Sequence, residues 1–182
     1  MTSETDPVMR DAEPRDVEAI ARFGATYIPP HYGPLIGVEA AQEQVRRWWN
    51  EDYLGAAVAR GEVVVAESRG GLVGVGQRGT AGREHVIYKL YVDPDHRGTG
   101  LGPRLIDALV RRLPPGVQTI SVEQLAANER AGAFYEREGF EVARSSRAPR
   151  GILGWRRSGG SGRSCAAPDR EAACEVRAAV GR

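Results

Sequence analysis

Residues 86–113 read VIYKLYVDPDHRGTGLGPRLIDALVRRL, and the order of elements in this stretch decides how the rest of the chain is read. Val86 to Val92 is an apolar-leaning run of strand length. Asp93 to Arg97 is a polar link containing Pro94, after which Gly98, Gly100 and Gly102 fall at every second position. From Leu101 the apolar residues recur at Leu101, Leu105, Ala108, Leu109 and Leu113, the spacing of one helix face. The glycines therefore sit where a strand feeds a helix N-terminus. Such a junction suits an anion, because glycine lets backbone approach a phosphate, and the first amides of the helix and its positive dipole end favour negative charge. A merely flexible loop is the alternative. The strand before, the helix after and the basic Arg97 supply the context that favours phosphate binding.

A dinucleotide site competes for the same pattern, and Glu123 lies about 20 residues on, where a ribose-binding acid is expected. Against it, the spacing is G-x-G-x-G with Pro103 where a third glycine belongs, and five residues separate Val92 from Gly98.

Arg97-Gly98-Thr99-Gly100-Leu101-Gly102 resembles the [QR]-x-x-G-x-[GA] acetyl-CoA motif of the GCN5-related N-acetyltransferases (GNAT), with Tyr88 to Val92 similar to the strand before it. Further along, NERAGAFYEREGF resembles the family's second signature through Asn128, Ala131, Phe134, Tyr135, Gly139 and Phe140. The opening VMRDAEPRDVEAIA is similar to its first strand and helix. The resemblance covers Val8 to about Arg157. It implies a mixed α/β (α+β) single-domain fold whose central six- to seven-stranded mixed sheet splays between the fourth and fifth strands, with about four helices.

The same resemblance assigns roles. Acetyl-CoA is the implied cosubstrate, its diphosphate on the backbone of Arg97, Gly98, Thr99, Gly100, Leu101 and Gly102 and its pantetheine arm along Leu90, Tyr91 and Val92. An N–H near Val92 would serve as an oxyanion donor. Asn128 and Phe134 complete the cofactor contacts. Asn128 is equally explained as a helix cap. Tyr135 matches the tyrosine that protonates the departing thiolate, a task suited to a phenol that keeps its proton at neutral pH; a buried structural tyrosine is the alternative. The family's frequent glutamate on the central strand is absent, Val86 holding its place, so Glu84 and Glu123 are the candidate general bases, with solvated carboxylates the alternative reading of each. Pro103 removes one amide donor at the helix's first turn.

Elsewhere, Val8–Arg10 reads as a strand and Pro14 opens a helix expected to end near Tyr27. Residues 28–35, with three prolines and a glycine, predict a stiff loop. The resemblance puts this region at the acceptor pocket and makes His31 and Tyr32 candidate substrate contacts, packing on the core being the alternative. A second helix is expected from Val38 to Asn50, its tryptophans in the core. Glu62–Glu67 and Leu72–Gln77 predict a hairpin, Gly79–Gly82 a turn, Gln118–Glu123 a strand, Asn128–Glu138 a helix capped by Gly139, and Phe140–Ser145 with Ile152–Arg157 a final strand pair.

At 182 residues, 41% hydrophobic and 27% charged, the chain is one ordinary globular domain over residues 1–157, with 158–182 a Gly/Ser/Ala/Arg-rich tail expected to be disordered. Its two cysteines, Cys165 and Cys174, lie in that tail and suggest no metal site. A net charge of +1 gives no drive toward nucleic acid or membrane, and MTSETDPVMR lacks the makings of a signal peptide. The expectation is a cytoplasmic N-acetyltransferase, with a homodimer as the candidate assembly, that moves acetyl from acetyl-CoA to a primary amine of a small molecule or peptide by direct attack. Two rivals are a degenerate coenzyme A-binding protein acting as sensor or assembly partner, and a nicotinamide-binding oxidoreductase.

Overall fold

The computed structural model describes residues 6–125, 127–143 and 152–158. Strands pair in the order β1-β2-β3-β4-β5-β7-β6. The chain divides into two compact units. The first runs to Arg78 and resumes at Lys89–Arg112; the second takes Gly79–Tyr88 and the chain from Leu113 onward.

In the first unit β2 (Val63–Ser68) is the centre, because Val63, Val64, Val65 and Ala66 are all buried and so both its faces are covered. β1 (Val8–Asp11) pairs antiparallel to it on one side, Val8 opposite Glu67. On the other side β3 (Gly71–Ala81) folds back with Ser68 opposite Gly71, the expected hairpin. One face carries the core of Ile20, Phe23, Ile28, Trp49, Leu54 and Val58 over Val63, Val65 and Val75. These come from α1 (Val17–Ile36), α3 (Glu51–Ala59) and the turn after α2 (Val38–Trp48). On β3, a Cβ at Gly74 would come within 3.0 Å of Leu105 and one at Gly76 within 3.0 Å of Leu109. Both leucines are fully buried on α4 (Leu101–Val110), so the two glycines form the bed on which that helix lies.

The helical layer departs from the sequence-based expectation. Residues 28–35 are not a loop: α1 continues through Pro29, Pro30 and Pro34 to Ile36. A proline's φ is itself helical, and what it removes is an amide donor and clearance against the carbonyl four residues back. Tertiary packing offsets that cost here, with Ile28 fully buried and Tyr27 and Tyr32 packed on the core. The helix stops at Gly37, whose φ of 90° is left-handed. The second predicted helix is two helices. Asn50 divides them, donating to the carbonyls of Arg46 and Arg47 and accepting the amide of Tyr53 at 2.9 Å as the cap of α3. There are thus five α-helices among the described residues, with 3-10 turns at Pro14–Asp16 and Pro94–His96, where about four helices were expected.

The second unit contains the end of the hairpin between β3 and β4 (Glu84–Val92). β3 runs through the predicted turn at residues 79–82, and the reversal comes at Gly82, φ 64°. Gly79 is needed where it stands, since a Cβ there would lie 2.6 Å from the ring of Tyr88, whose hydroxyl donates to the Thr80 carbonyl. β5 (Thr119–Leu125) runs parallel to β4, with Val86 opposite Ser121 and Ile87 opposite Val122. It pairs antiparallel with β7 (Ile152–Ser158), which also takes β6 (Glu141–Ala143). Between β5 and β6 stands α5 (Glu129–Arg137). Gly139, φ 78°, ends it: the amides of Gly139 and Phe140 donate to the carbonyls of Glu136 and Tyr135, the Schellman arrangement. Ser158 belongs to β7, one residue past the expected domain boundary. The tail beyond it, with Cys165 and Cys174, and the predicted strand residues 144–145 lie outside the described residues.

Gly24 of α1 faces Trp49 so closely that a Cβ would sit 2.3 Å from the indole. Alanine favours a helix over glycine by about 1 kcal/mol. Overpacking a filled core costs about 1–3 kcal/mol, so Gly24→Ala is expected to lower stability in urea denaturation despite the better helix former. A stabilised variant would refute the close packing.

Candidate active site

The strand-to-helix junction lies in the first unit. β4 ends at Val92, and Asp93 pins the start of the loop: its amide donates to the Val73 carbonyl, its carboxylate accepts the Asp95 amide at 2.9 Å, and the Tyr27 hydroxyl donates to it at 3.0 Å. After the 3-10 turn the Thr99 hydroxyl donates to the His96 carbonyl at 2.7 Å. Gly98 and Gly100 take φ of 81° and 83°, a left-handed conformation that side chains rarely adopt. Gly100 caps α4, and the amides of Leu101 and Gly102 in its first turn have no carbonyl four residues back within the helix. Leu101, 1% exposed, anchors that turn in the core. The loop is thus held at both ends and lined by main-chain donors. The Arg97 side chain donates through Nε to the Val92 carbonyl at 3.3 Å, so of the strand groups assigned to a pantetheine arm one acceptor is already engaged.

His31 and Tyr32 stand on α1, not on a loop. Their rings meet edge to face, 4.7 Å apart, and the Tyr91 hydroxyl donates to that of Tyr32 at 3.0 Å. A predicted substrate contact and a predicted cofactor-strand residue are therefore direct partners. Tyr91 also packs on Trp49, with centroids 5.3 Å apart, so its side chain belongs to the aromatic core. Burial raises the pKa of Tyr32.

Sequence reasoning passed over Lys89. It is buried on β4, its ammonium 4.4 Å from the Tyr53 ring centroid and 5.3 Å from that of Trp49. Nζ donates to the Gln77 amide oxygen, and Gln77 Nε2 donates to the Tyr53 hydroxyl at 3.3 Å, giving a buried polar row inside an apolar layer. No carboxylate pairs with Lys89 among the described residues, and desolvation lowers its pKa to about 7. The available signal was composition: Lys89 is the one lysine among 25 basic residues, in an otherwise apolar run.

The remaining candidates lie in the second unit. Asn128, 8% exposed, accepts the Ala131 amide at 3.2 Å and so caps α5. Tyr135, 7% exposed on the same helix, packs edge to face on Phe134 and Phe140 at 5.2 and 5.5 Å. Glu84 opens β4 and Glu123 lies near the end of β5. Glu123 is surface-exposed, yet its carboxyl is partly withdrawn from water. That desolvation, and secondarily the charge of Glu84, raises its pKa. Near it on β5, the side-chain oxygen of Gln124 is buried with no hydrogen-bond partner. Among the described residues no cluster of three or more His, Cys, Asp or Glu could hold a metal, and no helix is long and apolar enough to cross a membrane.

A mixed sheet with one parallel pair, a glycine junction after its fourth strand and a capped helix after its fifth define a mixed α/β fold of the acetyltransferase type. Residues 59–142 match the model of the acetyltransferase (GNAT) domain. It is similar to mycothiol acetyltransferase of Propionibacterium freudenreichii subsp. shermanii, 36% identical over 118 residues, which is 62% of this chain and 35% of that protein. It is also similar to the [ribosomal protein bS18]-alanine N-acetyltransferase of Escherichia coli K12, 39% identical over 61 residues, which is 33% of this chain and 41% of that protein. The matches thus span well under half the length of these curated relatives. Among solved structures the fold is shared with PaiA N-acetyltransferase from Thermoplasma acidophilum in complex with coenzyme A. Its TM-score is 0.70 at 15% identity, covering 85% of this chain and 99% of that one. N-acetylglutamate synthase from Neisseria gonorrhoeae, complexed with coenzyme A and N-acetyl-glutamate, has a TM-score of 0.64 at 19% identity, covering 87% of this chain and 36% of that one.

Lys89 also marks the pH dependence of stability. Its folded pKa, about 7, lies below the ordinary 10.5, so between those values the unfolded chain binds the extra proton. Stability from this group therefore rises with pH across that window. Lys89→Met is expected to be more stable than the parent at pH 6 and to lose the lysine's share of the rise, read as the parent-minus-variant difference in urea melts from pH 6 to 10. A pH-independent difference would sink this account.

Proposed function

We propose that this chain is an acetyl-CoA-dependent N-acetyltransferase that acetylates a primary amine of a small molecule or peptide by direct attack. The observation that carries the reading is the Gly98–Gly102 junction, with two left-handed glycines feeding a helix start anchored by Leu101. Main-chain amides at the positive dipole end of a helix suit a diphosphate. The coenzyme A bound in the two solved relatives supports acetyl-CoA as the cosubstrate.

In this reading Arg97 adds a charged contact to the diphosphate, and the backbone of Leu90 and Val92 meets the pantetheine arm. The acceptor arrives as an ammonium and loses a proton to Glu123, the candidate whose carboxyl is partly desolvated and whose pKa is raised for that reason. The amine lone pair then attacks the thioester carbonyl, with the Val92 region as oxyanion donor, and the carbon–sulfur bond breaks. Tyr135 gives its proton to the thiolate, and the second amine proton leaves to solvent, so the products are the acetamide and free coenzyme A. His31 and Tyr32 line the acceptor side. The two curated relatives are both named acetyltransferases, and one is named for an alanine of a ribosomal protein, which supports an amino group on a peptide or metabolite as acceptor. The near-neutral net charge supports a free acceptor over nucleic acid or membrane, and we take the working location to be the cytoplasm, with a homodimer as the candidate assembly.

Thiol release is the direct test, with an alanine-initiated peptide, a lysine-bearing peptide and kanamycin as acceptors. Release above the enzyme-free rate is expected; saturable acetyl-CoA binding with no release from any of them would point instead to a coenzyme A binder without turnover. Tyr135→Phe is expected to lower kcat by about 100-fold or more with the acetyl-CoA Kd unchanged. Unchanged turnover removes Tyr135 from its role. Gly100→Asp is expected to abolish acetyl-CoA binding in calorimetry, because it places a strained side chain and a negative charge at the anion position.

A further inference from the structure

Lys89, Gln77 and Tyr53 form a row that the acetyl-transfer mechanism does not use, and all three belong to the first unit. Nζ of Lys89 donates to the Gln77 amide oxygen, and Gln77 Nε2 donates to the Tyr53 hydroxyl. An ammonium has three donors and no acceptor, so a charged Lys89 dictates this orientation of the amide, oxygen toward nitrogen. The orientation leaves a donor over: among the described residues the Tyr53 hydroxyl accepts from Gln77 and donates to no group. The row thus suits the charged lysine and serves the phenol poorly.

Removing one proton reverses the preference. A neutral amine carries a lone pair and becomes an acceptor, while its N–H groups lose the charge that made them strong donors. Turning the Gln77 amide over then pairs Nε2–H with that lone pair and the amide oxygen with the Tyr53 O–H. Gln77 is 1% exposed, so its amide must find its partners inside the row. Lys89 is the group of this layer that titrates near neutrality, because desolvation lowers its pKa to about 7. Facing it are Gln77 from β3, Tyr53 from α3 and Trp49 from the turn after α2, the two rings lying 4.4 and 5.3 Å from Nζ. Burial raises the pKa of Tyr53, and of Tyr27 and Tyr32, which α1 brings to the same core, so these phenols stay uncharged. Glu62 and Arg60, the charges that act on Tyr53, are paired with each other at 2.8 Å.

We propose that Gln77 is a proton-driven switch: when Lys89 releases a proton to solvent, the Gln77 amide turns over, donating through Nε2 to the Lys89 amine and accepting the Tyr53 hydroxyl through its oxygen. One N–H bond breaks and no other covalent bond changes. The charge state of one buried side chain on β4 is thereby passed through β3 to α3, where it converts Tyr53 from hydrogen-bond acceptor to donor. The inference goes beyond the acetyl-CoA reading and does not depend on it.

The test uses the ligand-free, 15N-labelled full chain, in which Lys89, the sole lysine, gives a single lysine side-chain resonance. In the parent that resonance is expected to titrate near pH 7. Above the midpoint a through-hydrogen-bond coupling between Gln77 Nε2 and Lys89 Nζ is expected; below it the coupling vanishes, because an ammonium nitrogen accepts no hydrogen bond. Tyr53→Phe keeps the ring beside Lys89 and removes the hydroxyl. It takes from the neutral state the bond to the amide oxygen and from the charged state only the long 3.3 Å contact, so the midpoint is expected to rise by about one pH unit. A fixed amide would lose the same contact in both states, and the midpoint would stay where it is. The proposal is overturned by any of three results: no coupling above the midpoint, an unmoved or lowered midpoint in Tyr53→Phe, or a lysine that keeps one charge state from pH 5 to 9.

Discussion

Everything at the candidate site depends on how closely α4 approaches β3. Leu105 and Leu109 reach the sheet because Gly74 and Gly76 present no side chains, and any Cβ there would meet a leucine methyl at about contact distance or closer. Burying two such leucines contributes about 1.5–3 kcal/mol each, enough to fix the helix against the strand. A fixed helix has a fixed first turn, and the loop from Gly98 to Gly102 is that first turn and its approach. The Asp93 contacts with Val73 and Tyr27 hold the other end. A loop of backbone amides is only as well formed as its supports, and here both supports are packing and hydrogen bonding within one unit.

The α1–α3 layer obeys a different logic. Three prolines sit inside α1, and the helix persists because Ile28, Tyr27 and Tyr32 have a core to enter. In the same layer the polar row of Lys89, Gln77 and Tyr53 is enclosed by aromatic and aliphatic groups. An ammonium without a carboxylate partner in such a place is costly, and the response available to lysine but not to arginine is to lose its proton. The lowered pKa of Lys89 and the raised pKa of Tyr32 are two expressions of one low-dielectric environment, which destabilises the charged form of each.

The second unit shows how one residue can serve local structure and candidate chemistry together. Asn128 caps the start of α5, and Gly139 closes its end by turning the Phe140 amide back onto the Tyr135 carbonyl. The tyrosine is thereby held near the last turn of a short helix capped at both ends, its ring wedged between Phe134 and Phe140. The spacing of N-x-x-A-x-x-F-Y-x-x-x-G-F is the spacing that this capping geometry needs.

Local signals in the chain were enough to determine the strand, glycine junction and helix from Val86 onward, the β2–β3 hairpin, and the caps of α5, because each rests on periodicity or on a backbone conformation that only certain residues permit. The left-handed glycines at 98 and 100 and the cap at Asn128 were legible for the same reason. Tertiary structure alone decided the continuation of α1 through its prolines and the close bed of α4 on Gly74 and Gly76. It alone also decided the burial of Lys89 and the partnerless oxygen of Gln124. Those outcomes are set by which distant residues arrive alongside, and a proline's penalty, a lysine's charge or a glutamine's hydrogen bond acquires its sign only once those neighbours are in place.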